Sequence, residues 1–285
     1  MKAAFSTAAT RYDEAAVLAR ETGQRMAGRR DYIKLSPARF ADIGCATGDG
    51  VRELSRRYPN AFPLAVDYSF DMLRQLRENS PATLLQRLRR RGGVTLLNAD
   101  ARCLPFAAAS LDFIWSNQML HWLDDPLPAL REMHRSLATH GLLMFAMFGP
   151  DTLRELRDAC RECGIRPPLR TFHDMHDIGD MLVAAGFADP VMDMEMLTMT
   201  YSGPRSFLRD QRHLGVRDGL LGHLPWRDWR RVFSTHAARH GGQPMPMRFE
   251  IVYGHAWKPE PRTTEDGRSI IRLEKKRQDQ GRGQR

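Results

Sequence analysis

Short apolar runs alternate with stretches of helical periodicity along the first half of this chain. The runs lie at residues 40–43, 62–66, 94–97, 111–115 and 142–148, and amphipathic segments with a 3.6-residue spacing lie between several of them. Strands that alternate with helices are typical of a parallel sheet with helices on both faces. Polar residues follow the runs directly, and ligands of such sheets bind beyond the carboxyl ends of the strands. The pattern therefore predicts a doubly wound α/β fold with its site at that edge.

The second half of the chain adds two more expected strands, Val191–Tyr201 and Phe249–Trp257, which makes seven in total. The segment between them is too long for a hairpin and has helical character, so we expect an insertion that overhangs the sheet and shapes a substrate pocket. We divide the chain into an N-terminal helical lid at 1–36, a core at 37–201, a helical insertion at 202–247, the last core strand at 248–258 and a charged tail at 259–285 that we expect to be disordered.

The N-terminal segment has apolar residues at helical spacing, among them Phe5, Tyr12 and Leu18. A helix that precedes the first strand is not part of the layered sheet, and we expect it to cover the ligand crevice. Tyr12 either closes the site from above or simply packs in the helix interface, and the sequence leaves both options open.

Chemistry-bearing residues stand where three of the apolar runs end. The first run leads through Asp42 into the glycine-rich turn of the segment FADIGCATGDG, which ends at Gly50. Glycines let the backbone approach a ligand where a Cβ atom would collide. Asp67 follows the second run, 23 residues after Gly44, and can accept hydrogen bonds from both hydroxyls of a ribose. Asp100 follows the third run and can accept from an exocyclic adenine amine.

This series, continued by LDFIWSN at residues 111–117, resembles class I methyltransferases that use S-adenosyl-L-methionine, a Rossmann-like fold. The resemblance implies that the first acid and the turn bind the methionine end of the cofactor, the second acid the ribose and the third the adenine. One position departs from the usual Gly-x-Gly-x-Gly turn, because Ala46 stands at the middle glycine. A nicotinamide cofactor is the alternative, but the turn lacks the dinucleotide spacing and Asp100 would have no role. The residues expected to bind the cofactor are Asp42, Gly44, Gly48, Asp67, Tyr68, Met72, Asp100, Ala101 and Asn117.

Four longer segments carry a more specific resemblance. AFSTAATRYDEAAVLARE, WSNQMLHW, FGPDTLRELR and FEIVYGHAW resemble the malonyl-acyl-carrier-protein O-methyltransferases of biotin synthesis, and the similarity runs from about Ala3 to Trp257. The resemblance implies methylation of the free carboxylate of a malonyl thioester, preferably on acyl-carrier protein, at the start of pimeloyl synthesis. A mitochondrial complex I assembly factor family that modifies an arginine shares the LHW and FG-DTL-ELR features, and a small-molecule methyltransferase is also open. Gly215-Val216 departs from the Gly-Ala that the first family has there.

Location gives the candidates for the substrate pocket. Tyr12, His121 and Trp122 are the expected catalytic residues, of which His121 can donate a hydrogen bond to the carboxylate and Trp122 can wall the sulfonium site. A carboxylate is already ionised at pH 7, so no general base is needed. Gln118, Arg154 and Arg209 are the expected substrate-binding residues. The alternatives are a His121 bonded to backbone, a Trp122 in the core and arginines on the surface.

Composition adds an expectation about partners. The formal net charge is +9, of which the tail from Pro259 supplies +3. A basic surface attracts anionic partners, and we expect an acidic carrier protein that bears a malonyl group. Nucleic acid is the rival, but no aromatic and basic residues interleave as in proteins that stack bases. Arg87, Arg89, Arg90 and Arg91 form the densest basic cluster, which is either part of the docking surface or a solvated helix end.

Other site and location classes are expected to be absent. No run of 18 apolar residues occurs, the N-terminus lacks a secretory signal, and the four cysteines are few, so we expect a cytoplasmic protein without disulfides. Cys160 and Cys163 form a lone C-x-x-C with no second pair, and we expect no metal site. The sequence leaves the oligomeric state open.

Overall fold

The computed structural model describes residues 2–29, 33–79, 93–239 and 245–261, and within these ranges the strands form a seven-stranded sheet. The strand order is β3-β2-β1-β4-β5-β7-β6, and β7 runs antiparallel to both of its neighbours. The predicted seven-stranded, mostly parallel sheet is confirmed. The strands are β1 Arg39–Ile43, β2 Phe62–Asp67, β3 Thr95–Asn98, β4 Leu111–Asn117, β5 Leu137–Phe148, β6 Ala188–Tyr201 and β7 Met245–Trp257.

Both faces of the central strands are buried, and since successive strand side chains point to opposite sides they pack into two separate clusters. Phe40 and Phe113 belong to one buried cluster, whereas their chain neighbours Ala41 and Ile114 belong to the other. The helices are α1 Lys2–Ala8, α2 Tyr12–Ala15, α3 Val17–Arg29, α4 Asp49–Arg57, α5 Phe70–Asn79, α6 Leu127–Ser136, α7 Arg154–Glu162, α8 Met175–Ala184, α9 Pro204–His213, α10 Arg217–Leu221 and α11 Trp226–Arg239.

The chain order reverses at β1, which pairs with β2 on one side and with β4 on the other. Such a switch point opens a crevice beyond the carboxyl ends of the strands, since the connections leave in opposite directions. The crevice therefore lies where the turn after β1 meets the ends of β2 and β4.

The N-terminal segment forms three short helices rather than the continuous helical stretch that its periodicity suggests, and side chains hold it to the core. The Ser6 and Ser69 hydroxyl oxygens are 3.1 Å apart. Asn79 Nδ2 donates to the Asp13 carboxylate at 2.9 Å. At the other end of the segment, an Arg29 guanidinium nitrogen lies 2.7 Å from an Asp193 carboxylate oxygen. These contacts fix α1 to α3 over the crevice, and their action as a lid stays a prediction.

Three boundaries differ from the sequence prediction. β5 begins at Leu137 rather than at residue 142, because Leu137 already pairs with Leu111 directly after α6 ends at Ser136. β6 begins three residues early, at Ala188, through a register shift where Asp189 has a φ of 49°. β7 begins at Met245 rather than in the region of 248–249.

Some predictions concern residues that lie outside the described ranges. These are the basic cluster at 87–91 and all of the charged tail beyond residue 261. In the ranges that are described, no helix combines the length and the apolar character that crossing a bilayer requires. The cytoplasmic location stays a prediction.

Candidate active site

A cavity of about 330 Å³ lies at the crevice, between the carboxyl ends of β1 to β4 and the N-terminal helices. Its floor is the sheet edge, and residues of α9 close one side. The structure brings most of the expected site residues to its wall, namely Tyr12, Gly44, Asp67, Tyr68, Met72, Asp100, Ala101, Asn117, Gln118, His121 and Trp122. Asp42, Gly48, Arg154 and Arg209 are not part of the lining.

The turn after β1 has a left-handed backbone at its key positions. Gly44 has a φ of 80°, and a Cβ atom there would collide with the Met119 side chain. Ala46, the residue in place of the usual glycine, has a φ of 45° and lines the cavity. A non-glycine residue with this φ is strained, and such strain tends to occur at functional sites.

Asp67 ties this turn to the end of β2. Its Oδ2 accepts from the Ala46 N–H at 2.9 Å, and its Oδ1 accepts from the Ser69 N–H at 2.7 Å. Burial raises the pKa of Asp67, and the backbone hydrogen bonds oppose that rise. Each carboxylate oxygen keeps a further lone pair, so the group is oriented by the backbone and can still accept from a ligand.

Asp100 stands at the rim of the cavity with a cation beside it. An Arg102 guanidinium nitrogen lies 2.7 Å from its Oδ2. The hydrogen bond from Arg102 lowers the pKa of Asp100, with burial acting weakly against it. The carboxylate is therefore an ionised acceptor above acidic pH.

Asp42 lies beneath the turn instead of facing the cavity, so the expected direct contact with the methionine end of the cofactor is not supported. It is 2% exposed, and its carboxylate accepts from the Val51 N–H at the start of α4. Burial raises the pKa of Asp42 to about 7. Gly48 allows close packing of the turn against α5, since a Cβ there would lie 2.6 Å from Leu76 Cγ.

Two polar residues at the end of β4, Asn117 and Gln118, line the cavity and have buried polar atoms without a partner among the described residues. Asn117 Nδ2 donates to the Ala19 carbonyl at 2.8 Å, while its Oδ1 is buried without a partner in the described structure. Gln118 has a φ of 57°, and neither Oε1 nor Nε2 of its amide has a partner among the described residues. Buried polar atoms of this kind are costly unless a ligand or water satisfies them.

His121 is a neutral hydrogen-bond donor in this structure. Its Nδ1 accepts from the Phe148 N–H at 3.2 Å, which places the proton of the neutral ring on Nε2. Nε2 is buried and has no partner among the described residues. Burial lowers the pKa of His121 well below its usual range, and the charge of Arg170 adds to this effect. The bond to backbone is thus present, and donation from Nε2 to a carboxylate stays a prediction.

Aromatic rings form the wall beside His121. The ring of His121 stacks on Phe148 with centroids 4.3 Å apart, and Trp122 lies 4.7 Å away. Phe5 of α1 meets Trp122 edge-on at 6.0 Å. This wall joins the N-terminal helices to the segment after β4.

Tyr12 lines the cavity near two carboxylates. Burial raises the pKa of Tyr12, and Asp67 and Asp49 raise it further. The phenol therefore keeps its proton at physiological pH and can act only as a neutral donor or acceptor.

The arginines expected to bind substrate do not reach the cavity. Arg154 pairs with Asp151 at 3.1 Å and Arg209 with Asp210 at 3.5 Å, and both guanidinium groups are largely exposed. Their helices present them to solvent, which the helical periodicity of these segments did not reveal.

Arg170 organises the segment around His121, although the sequence analysis did not single it out. Its Nε donates to the His121 carbonyl at 3.1 Å, and its Nη2 lies 2.7 Å from Asp124 Oδ1. It acts through the backbone of this segment, and it does not line the main cavity. An isolated arginine in a loop has no motif that would single it out.

The segment FGPDTLRELR follows β5 and is hydrogen-bonded to β7 through Glu250. The Thr152 hydroxyl donates to the Glu250 carbonyl and accepts from the Glu250 N–H, both at 3.2 Å. Glu250 Oε2 accepts from the Asp151 N–H at 2.6 Å. These bonds hold Phe148, and through it His121, at the cavity wall.

Cys160 and Cys163, the cysteines of the C-x-x-C motif, are both free thiols. Cys163 Sγ lies 3.3 Å from the Thr235 hydroxyl, and Cys160 is buried. In the described ranges, no group of three or more His, Cys, Asp or Glu side chains is placed to hold a metal ion.

Comparisons with known proteins agree with this geometry. A methyltransferase domain family matches residues 41–145. A malonyl-[acyl-carrier protein] O-methyltransferase of Gallionella capsiferriformans is 46% identical over 281 residues, which cover 95% of this chain and 94% of that protein. One of Laribacter hongkongensis is 42% identical with the same coverage of both chains. The YcgJ crystal structure from Bacillus subtilis has a TM-score of 0.57 at 17% identity, covering 83% of this chain and 98% of that one, which shows the fold alone.

Proposed function

Because the chain belongs to the malonyl-[acyl-carrier protein] O-methyltransferase family, we propose that it transfers a methyl group from S-adenosyl-L-methionine to the free carboxylate of a malonyl thioester on acyl-carrier protein. Its fold is the Rossmann-like class I methyltransferase fold. The observation that carries the proposal is the 46% identity over nearly the whole of both chains. The product is the malonyl methyl ester that starts the pimeloyl chain of biotin.

The cavity wall fits S-adenosyl-L-methionine. Asp67 and Asp100 stand at the ends of neighbouring strands, where they would hold the ribose hydroxyls and the adenine amine. Met72 and Ala101 give apolar surface beside the adenine position. Asn117 Oδ1 is a buried acceptor without a partner among the described residues, and it would take a donor from the methionine end.

The chemistry asks for positioning more than for proton transfer. When bound, S-adenosyl-L-methionine supplies an electrophilic methyl group to the carboxylate oxygen, and S-adenosylhomocysteine leaves. The malonyl carboxylate is ionised at neutral pH, so the protein has no proton to remove from it. Neither Tyr12 with its raised pKa nor His121 with its lowered pKa is suited to act as a base here. Their part is to orient the nucleophile.

Neutral donors suit this nucleophile. Gln118 Nε2 and His121 Nε2 are buried donors without partners among the described residues, and we assign them to the malonyl carboxylate. A paired cation would stabilise the localised charge of the carboxylate more than the dispersed charge of the transition state, and would slow the reaction. Neutral hydrogen bonds orient the carboxylate with a smaller penalty of this kind.

The aromatic wall keeps water from the nucleophile. Trp122, Phe5 and Phe148 line the cavity beside His121, and Phe148 stacks directly on the imidazole. A poorly hydrated carboxylate attacks more readily than one with a complete hydration shell. The apolar wall and the neutral donors therefore serve the same step.

Mass spectrometry of malonyl-carrier protein, incubated with the enzyme and S-adenosyl-L-methionine, tests the proposal. The expected product is heavier by one methyl group and loses it on mild ester hydrolysis. Modification of an arginine side chain on a protein partner, with malonyl thioesters left unchanged, would favour the assembly-factor alternative instead.

Variants test the donor assignment. His121→Ala and Gln118→Ala each remove one hydrogen bond to a charged group, so we expect kcat/KM for the malonyl thioester to fall roughly 10- to 150-fold. Arg154→Ala and Arg209→Ala are matched controls outside the cavity and should change it less than about threefold. A large loss in either arginine variant, with none in the two donor variants, would contradict the assignment.

A further inference from the structure

A second hollow lies on the insertion, between the start of α9 and the length of α11. Its walls include Ser202, Gly203, Arg205, Trp226, Arg230 and Phe233, and its volume is about 430 Å³. We name it the α9–α11 groove. Trp226 is 53% exposed, which is unusual for so large an apolar side chain.

The groove is positively charged and its charges are not neutralised. Arg205 and Arg230 are exposed, and neither has an acidic partner within 4 Å among the described residues. No aspartate or glutamate lines the groove. The whole stretch from 202 to 239 holds eight arginines and three aspartates, a net charge of +5. More than half of the excess charge of the chain therefore lies on this insertion.

The groove is connected to the methyl-transfer site through one helix. Arg205 stands in the first turn of α9, while Gln211 and Leu214 near its other end line the active-site cavity. Gln211 comes six positions after Arg205 in the helix, which corresponds to about 9 Å along the helix axis. A thioester arm bound to a partner at the groove would span such a distance to the cavity.

We propose that the α9–α11 groove is the docking surface for the acidic carrier protein, with Arg205 and Arg230 paired to carboxylates of a carrier helix and Trp226 covered by its apolar side chains. The proposal rests on the proposed function for the identity of the partner. Arginine and tryptophan are the residue types that most often dominate interface energies, and exposed charges at a rim act mainly on the association rate.

The test compares a carrier-bound substrate with one that has no carrier. The variant Arg205→Glu/Arg230→Glu should lower kcat/KM for malonyl-carrier protein by about tenfold or more, mainly through KM. Turnover of malonyl-pantetheine, which has no protein and no phosphate, should stay within about twofold. The matched control is Arg39→Glu/Arg131→Glu, which changes the charge equally at exposed positions outside both hollows. This control should lose less than about threefold on either substrate.

A second variant and a binding measurement separate the possible outcomes. Trp226→Ala, which leaves the charge unchanged, should weaken the carrier reaction selectively as well. Equal losses on both substrates, or equal losses in the control variant, would overturn the docking proposal. If the wild-type protein methylates neither substrate, the proposed function fails, and calorimetric titration of wild type and Arg205→Glu/Arg230→Glu with malonyl-carrier protein still decides the docking surface. Equal affinities in that titration would reject it.

Discussion

Asp42 offers a direct test of the electrostatics beneath the cofactor turn, because the substitution Asp42→Asn should stabilise the protein at neutral and alkaline pH. The carboxylate is 2% exposed and accepts from the Val51 N–H. Desolvation is the largest cause of its raised pKa, and Asp67 and Asp49 add like charges. Asparagine removes the charge and keeps an oxygen for the Val51 N–H.

The size and sign of the effect follow from the pKa of about 7, against a usual value of 3.8. The pKa of Asp42 is higher in the folded protein than in the unfolded chain. Its protonated form therefore stabilises the folded state fully below pH 3.8, and this stabilisation is lost as the pH rises through the folded-state pKa of about 7. One pKa unit corresponds to about 1.4 kcal/mol. Between pH 5 and 8, the free energy of unfolding of the wild-type protein should therefore fall by roughly 2 to 3 kcal/mol relative to that of the variant.

Urea denaturation at pH 5, 6, 7 and 8 measures this difference. Asp177→Asn, which removes an exposed carboxylate, is the control and should shift the free energy of unfolding by a small amount that varies little with pH. A difference between wild type and Asp42→Asn that stays constant from pH 5 to 8 would refute the reasoning, because it would mean that Asp42 does not take up a proton on folding in this range.

Four further substitutions test individual parts of the site and its support. Asp67→Asn removes the charge of an acceptor, and the dissociation constant of S-adenosylhomocysteine measured by calorimetry should rise roughly 10- to 150-fold; an unchanged value would remove the ribose assignment. Gly50→Ala places a Cβ 2.5 Å from Asp42 Oδ2, so the free energy of unfolding in urea should fall by about 1–3 kcal/mol, whereas Gly28→Ala, with no atom within 4 Å, should not destabilise. Thr152→Val leaves the Glu250 N–H unpaired and should cost about 1–3 kcal/mol in the same assay. Tyr12→Phe should keep the wild-type pH profile of kcat/KM, because burial raises the pKa of the phenol and it stays protonated at the pH of the assay. A rise or fall of kcat/KM with pH that appears or disappears in the variant would contradict this.

The layered sheet was predictable because its signal is local. β1, β2 and β4, together with residues 142–148 of β5, are buried on both faces, so they appear in the sequence as nearly continuous apolar runs between amphipathic segments. The positions of Asp67 and Asp100 at the cavity were predictable for the same reason, since each comes at or shortly after the end of a run and the carboxyl ends of parallel strands share one edge.

Asp42 was expected at the cavity but lies beneath the turn, because the prediction did not consider which side of the sheet α4 covers. Phe40 and Asp42 are two residues apart in β1 and so point to the same side of the sheet. Phe40 packs in the cluster that contains Val51 and Leu54 of α4, so Asp42 lies beneath this helix as well. The alternation was present in the sequence, but the side that α4 covers is decided by the direction in which the chain leaves β1.

The prediction that Arg154 and Arg209 reach the substrate pocket differs from the structure for another reason. A helical pattern shows which residues share a face, but not what that face meets, and this depends on how the helix docks. Arg154 and Arg209 face solvent, while Arg170, in a loop without periodicity, is held between His121 and Asp124. Its place is set by contacts between segments distant in the chain, which a single sequence does not encode locally.

The distribution of charge links the chemistry to the choice of partner. The donors assigned to the malonyl carboxylate are neutral, because burial lowers the pKa of His121 and the charge of Arg170 lowers it further. Arg205 at the start of α9 and Arg230 on α11 have no acidic partner among the described residues, and they lie instead in the α9–α11 groove, outside the cavity. A cation beside the reacting carboxylate would hold the nucleophile in its ground state, whereas a cation in the groove would attract an acidic carrier without touching the reacting atoms. Placing the guanidinium groups of the groove away from the neutral donors would let the protein bind an acidic partner strongly and its carboxylate weakly.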